Sequence, residues 1–167
     1  MTDGKRAIAF FRAEEAPRIE DDGCMTSAPV AIDPAVFDSF DPARLNLGRA
    51  VHVLFKDEAP EGFSLVRARF GPGYRLPRHS HSGDCLYYVV SGEAHLGARI
   101  VGAGDGFVVR QGTAYTYTAG PAGVEVLEFR HATSFDITIR DTTVAQWKPV
   151  ADAVAGHWTQ WASSASS

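Results

Sequence analysis

The sequence predicts an all-β fold, a sandwich or barrel of short strands in a single domain. Three observations predict it. From Phe63 to His131 the apolar residues recur with period two, as half-buried strands require. The runs are short, rich in β-branched and aromatic residues, and separated by Gly, Pro or Asp. At 167 residues the chain has room for one sizeable core but is cramped for two.

The elements follow in chain order. Residues 1–60 are expected to form an N-terminal extension packing on a β core that spans 61–140. Within the extension, residues 6–12 suit a short strand and 14–23 are polar and turn-like. Asp33-Pro34 predicts a helix start, with Asp as N-cap and Pro at the first helical position. That helix would reach about Phe40, with Val36 and Phe40 on one face, and Asp41-Pro42 would end it. Val51, Val53 and Phe55 alternate with His52, Leu54 and Lys56, which suits an early strand.

In the core, residues 63–70, 86–91, 94–96, 106–110, 114–119 and 124–131 read as strands. Beyond 141 the period changes. Val150, Val154, Trp158 and Trp161 fall at steps of four, four and three, a helical stripe whose first turn would hold Pro149. Residues 163–167 are expected to be a disordered tail.

Composition narrows the function. The net charge of -4 comes from 20 acids and 16 bases with no long run of either sign, so no nucleic-acid partner is expected. No segment has the length of a membrane span, and the apolar stretch near Met1 is too short for a signal peptide. Two cysteines far apart, Cys24 and Cys85, do not make a disulfide framework. A cytoplasmic protein with no membrane partner is the expectation.

The chemistry concentrates in Gly73-Tyr-Arg-Leu-Pro-Arg-His79-Ser-His81, followed by Cys85 and Gly92. Two histidines one residue apart on an extended segment place both imidazoles on one strand face, offering two nitrogen ligands to one metal. The spacing Gly-x5-His-x-His-x3-Cys-x6-Gly resembles the first motif of the cupin family, with Cys85 where the family usually has glutamate. The run Gly104-Asp105 to Gly112 and Tyr115 resembles the second motif. There Arg110 replaces a proline, and Tyr115 replaces the histidine that is normally the fourth metal ligand. The resemblance covers under half of the chain. It implies a single-domain cupin jelly-roll barrel of the RmlC-like kind, and a homodimer.

On that resemblance the metal set is His79, His81 and Cys85, holding a divalent Fe, Ni, Mn or Zn. A thiolate is a good soft ligand for such ions. The plain alternative for Cys85 is a small buried hydrophobe, and Asp84 is a lesser oxygen candidate. Tyr87, Tyr115 and Tyr117 are expected to shape the ligand pocket. Arg67 and Arg69 share a strand face, and an inward Arg69 would suit an anionic substrate such as a carboxylate. Glu125 and Glu128 lie on opposite faces, so one points inward, and Glu128 joins the pocket set. His52, His95, His131 and His157 read as structural or solvent-facing. Catalytic residues are not identifiable from the sequence.

Two functions are compatible with these residues. One is a protein binding a small organic molecule at a metal held by two histidines, as an oxygenase or isomerase. The other is a non-catalytic binding or sensing cupin with a degraded metal site. The fold alone selects no reaction.

Overall fold

A computed structural model describes residues 8–165. Nine strands form two sheets. They are β1 (Met25–Ser27), β2 (Arg49–Lys56), β3 (Ser64–Phe70), β4 (His79–His81), β5 (Cys85–Leu96), β6 (Arg99–Gly102), β7 (Gly106–Val109), β8 (Thr118–Arg130) and β9 (Phe135–Ile139). The larger sheet has the order β2-β3-β8-β5-β6, with β7 beside the first half of β5. The smaller sheet has the order β1-β9-β4. Ladder hydrogen bonds do not close the sheets into the expected barrel. The segment before β8 meets β4 through an isolated bridge between His79 and Tyr115 and one hydrogen bond from Gly112 N to the His81 carbonyl at 2.8 Å.

The alternation seen in the sequence becomes burial. Along β3 the even residues Ser64, Val66, Ala68 and Phe70 point inward, and along β5 Cys85, Tyr87 and Val89 do so. These side chains meet Phe135 of the smaller sheet in one core between the sheets. Residues 86–91 and 94–96, expected as two strands, are one strand through Gly92. Gly92 takes a φ of +72°, and a Cβ there would meet the Gly123 carbonyl of β8. Pro121 is accommodated at the same place, where the β5–β8 register shifts.

Other expectations are corrected. Residues 8–12 form no strand, and residues 6 and 7 lie outside the described residues. Residues 114–117 are not strand, because β8 begins only at Thr118. Asp33 caps just one 3-10 turn, Pro34–Val36, which ends before Phe40. Asp41-Pro42 begins a helix instead of ending one: the Asp41 carboxylate accepts from Ala43 N at 2.9 Å and caps a helix over Pro42–Leu47. A single turn of helix, Ile19–Asp22, also occupies part of the stretch expected to be a turn. We number these two α2 and α1 respectively.

The C-terminal helix α3 runs over Val144–Ala165, so it starts five residues before Pro149 and takes in most of the expected tail. Its start is set by a capping box. Gln146 Oε1 accepts from Thr143 N at 3.1 Å, while Thr143 Oγ1 accepts from Gln146 N at 3.4 Å. The expected stripe is buried at Val150, Val154 and Trp161, and extends back to Trp147. Ser166 and Ser167 lie outside the described residues.

Candidate functional site

His79 and His81 stand on β4 with both rings turned inward, 3% and 8% exposed. Their ring centres are 5.1 Å apart. Each Nδ1 is 2.7 Å from a backbone carbonyl, that of Pro77 for His79 and that of Asp136 for His81. A carbonyl accepts only, so each Nδ1 carries the proton and each Nε2 keeps its lone pair. Burial lowers the pKa of both rings. The Arg130 guanidinium adds to the effect at His81, which falls to about 4. Both imidazoles are therefore neutral at physiological pH.

Strand β5 and the segment before β8 bring four further predicted residues to the same interior. The hydroxyls of Tyr87 and Tyr115 share a hydrogen bond, and the Tyr115 ring centre is 4.5 Å from that of His79. Phe107 stacks on Tyr87 at 4.6 Å, and its edge meets Tyr117. Tyr117 is 1% exposed, and its hydroxyl has no hydrogen-bond partner. Burial, reinforced by the Glu128 charge, raises the pKa of all three phenols, so they are donors and not phenolates. Cys85 is 2% exposed, and burial pushes its thiol up to about 12. Its Sγ lies 3.8 Å from the Leu86 carbonyl and also meets the Tyr87 side chain, so Cys85 is a buried, protonated thiol.

Glu128 points inward as expected, and beside it lies the residue that sequence reasoning missed. Arg130 is 1% exposed, with Nη2 2.8 Å from Glu128 Oε2 and 3.4 Å from the Tyr87 hydroxyl. Its guanidinium carbon is 4.1 Å from the centre of the Phe135 ring. Burial alone would lower its pKa, but the Glu128 carboxylate overrides that and holds it above the ordinary value. Its Nε and Nη1 have no partner. The signal was in the sequence: a strand with Val124, Val126 and Glu128 inward must also turn residue 130 inward.

Arg69 is not part of this group. It lies on the outer face of β3, where Nε pairs with Glu125 Oε2 at 2.5 Å. Val66, Ala68 and Phe70 take the inward positions, which leaves Arg67 and Arg69 outside. Asp84 is half exposed, and both its oxygens are engaged, one by Arg110 at 2.7 Å and one by Gln111 N at 2.8 Å. Arg110 thus ties the turn before β5 to the turn after β7. Next to these turns an open cleft of about 320 Å³ is lined by His81, Ser82, Gln111, Asp136 and Arg140, among others, so His81 borders the surface.

Among the described residues no group of three or more His, Cys, Asp or Glu side chains is placed to hold a metal ion. Among the same residues no helix is long and apolar enough to cross a membrane. The arrangement offers two neutral nitrogen acceptors, three phenol donors and one buried guanidinium. It can bind oxygen atoms of a small molecule or hold a metal through two imidazoles.

No protein-family model matches the sequence, and no curated protein matches it. Several solved structures are similar. The polyketide cyclase RemF from Streptomyces resistomycificus is 22% identical with a TM-score of 0.44, over 50% of this chain and 64% of that one. An RmlC-like cupin from Shewanella frigidimarina is 23% identical with a TM-score of 0.44, over 50% of this chain and 75% of that one. KdgF from Halomonas sp. is 20% identical with a TM-score of 0.48, over 73% of this chain and 92% of that one.

Proposed function

We propose that this chain is a cupin that binds a small organic molecule between its two sheets, at a divalent metal held by His79 and His81. One observation carries the reading. Both Nδ1 atoms are committed to backbone carbonyls at 2.7 Å, which aims two neutral Nε2 lone pairs from one strand into the interior. Imidazoles so anchored fit Fe, Ni, Mn or Zn alike. When bound, such an ion supplies Lewis acidity or, for iron, a site for dioxygen. Oxygenase and isomerase activities both follow from this reading.

The chain's own residues have separate parts. Pro77 and Asp136 orient the imidazoles, and Tyr115 packs against His79 and shares a hydroxyl hydrogen bond with Tyr87. Cys85 supplies a thiol that ligates only if a metal displaces its proton. Both cysteines are free and buried, which supports a cytoplasmic protein.

The second reading is binding or sensing without metal. The lack of a third converging ligand among the described residues favours it. Elemental analysis of untagged protein decides between the two. The metal reading expects close to one Fe, Ni, Mn or Zn per chain, lost in the His79→Ala/His81→Ala variant. Metal-free protein that takes up none of the four ions would overturn it and leave the second reading.

A further inference from the structure

The larger sheet carries a row of basic residues on its outer face that the interior chemistry does not use. Arg18 bridges to His52 of β2, and His52 lies directly opposite Arg67 of β3. Residues directly opposite in neighbouring antiparallel segments share a face and stand about 5 Å apart. That face is the outer one, because Val51, Val53, Val66 and Ala68 take the inner positions. Two arginines flanking a histidine repel one another, and the acids nearby do not cancel them. Glu125 takes up Arg69 at 2.5 Å, and Glu20 lies 2.6 Å from Arg49 but 3.7 Å from Arg18. Arg67 is half-buried with no acidic partner among the described residues, and its buried Nε meets no acceptor. The His52 Nδ1 is likewise buried without a partner, which leaves Nε2 as the ring nitrogen available to a ligand.

We propose that Arg18, His52 and Arg67 form a phosphate-binding site on the outer face of the larger sheet. It takes inorganic phosphate or the phosphoryl group of a small phosphate monoester. The site is separate from the interior and does not rest on a metal there. Charge selects a dianion. Arg18, Arg49, Arg67 and Arg69 are met by only two acids, Glu20 and Glu125, so two positive charges stay unmatched. Shape selects a tetrahedral group. The three side chains come from three adjacent segments and reach one ligand from three directions. A phosphoryl group offers each of them an oxygen, whereas a carboxylate has two oxygens and a single charge. The Arg18 side chain is 56% exposed, so the site opens to water and needs no enclosed cavity.

Calorimetric titration of metal-free protein with inorganic phosphate, phenyl phosphate and acetate, each to about 20 mM, tests this. Ionic strength is held constant with sodium chloride, so that general screening gives no signal. Both phosphates are expected to bind saturably at one site per chain, and acetate about fivefold more weakly. Arg67→Gln should weaken phosphate about fivefold, and Arg18→Gln, at a more exposed position, should weaken it likewise. Lys148→Gln removes the same charge from α3 and should change nothing. In proton NMR the His52 ring signals, identified by their loss in His52→Gln, should move along the same saturation curve. Tighter binding of phenyl phosphate supports the site as one for a monoester, and tighter binding of phosphate supports it as one for the free ion. No saturable binding, acetate as tight as phosphate, both arginine variants binding like wild type, or His52 signals that stay fixed would each overturn the proposal. The His79→Ala/His81→Ala variant should bind phosphate as wild type does, so the metal reading and this one fail separately.

Discussion

Arg130 lies over the Phe135 ring, with the guanidinium carbon 4.1 Å from the ring centre. Arg130 ends β8 of the larger sheet and Phe135 begins β9 of the smaller one, so this contact joins the two sheets. Phe135 also meets the His81 ring edge-on at 5.8 Å. The cation, the aromatic ring and the His81 imidazole therefore form one continuous run of contacts.

Removing the anion from that stack should be costly. Glu128→Ala leaves the Arg130 charge buried without its counter-ion, and breaking a buried pair from one side typically costs about 3–5 kcal/mol. Urea denaturation of metal-free protein measures it. A loss no greater than that of an exposed pair such as Lys148–Asp152, about 0.5 kcal/mol, would mean the pair is not buried in solution.

Acid should weaken the metal-free fold before the carboxylates titrate. The folded-state pKa of His81 is lowered to about 4 and that of His79 is lowered too, against an ordinary value of 6.5. Between pH 6.5 and 4 the unfolded chain therefore binds more protons than the folded one. Stability is full above pH 6.5 and falls as pH drops through that window, by at most about 1.4 kcal/mol per pH unit for each ring. Melting temperatures from pH 7.5 to 5 test this. His81→Gln should flatten the slope, and an unchanged slope would contradict the buried neutral ring.

How much of this was legible in the sequence depended on whether local pattern or tertiary pairing decided each element. Period two puts His79 with His81 and Tyr115 with Tyr117 on shared faces and Glu125 and Glu128 on opposite ones, but which face is inner came from the family resemblance. The structure buries both histidines, Tyr87 and Tyr117 and pairs Glu128 with the buried Arg130, although Tyr115 and Tyr117 precede β8. Arg69 went the other way because two arginines at one face do not say which face is inner; the larger Val66, Ala68 and Phe70 set decides it. Strands β1 and β9 are short, and their pairing is parallel and distant in sequence, so no local signal marked them. The start of α3 was readable from Thr143-x-x-Gln146, but Pro149 drew attention further along.

Helix α3 should be a major source of stability. Trp161 is 2% exposed and its Nε1 donates to the Pro72 carbonyl at 3.0 Å. A Cβ on Gly71 would sit 2.5 Å from Trp161 Cδ1, and one on Gly48 would sit 2.7 Å from Cδ2. Trp161→Ala should cost about 3–5 kcal/mol through the cavity it opens. Gly71→Ala should cost about 1–3 kcal/mol through overpacking. Thermal unfolding of both variants checks the contact; a neutral Gly71→Ala would show that the helix does not pack there.

The outer face of the larger sheet predicts a homodimer. Phe11, Phe55 of β2, Phe63 just before β3 and Phe129 of β8 form a chain of ring contacts of 5.6–6.2 Å. The ladder then continues it, with Leu86 opposite Phe129 on one side and Val108 on the other. Leu86 and Val108 are about half exposed, at 50% and 49%, and Tyr88 and Val90 extend the patch along β5. At about 4.8 Å per strand, five neighbouring strands make an apolar band about 20 Å across. Monomers rarely leave so large a contiguous band in water. The apolar side chains of the band are uncharged, with Arg67 and the Arg69–Glu125 pair beside them on the same face, so a two-fold axis through the apolar end can lay it on its own copy, as an isologous interface requires. Light scattering on the eluted protein should give twice the 18.0 kDa chain mass, and Leu86→Lys or Phe129→Lys should give the single-chain mass with unchanged circular dichroism. A monomeric wild type at micromolar concentration would remove the second copy as the occupant of this face.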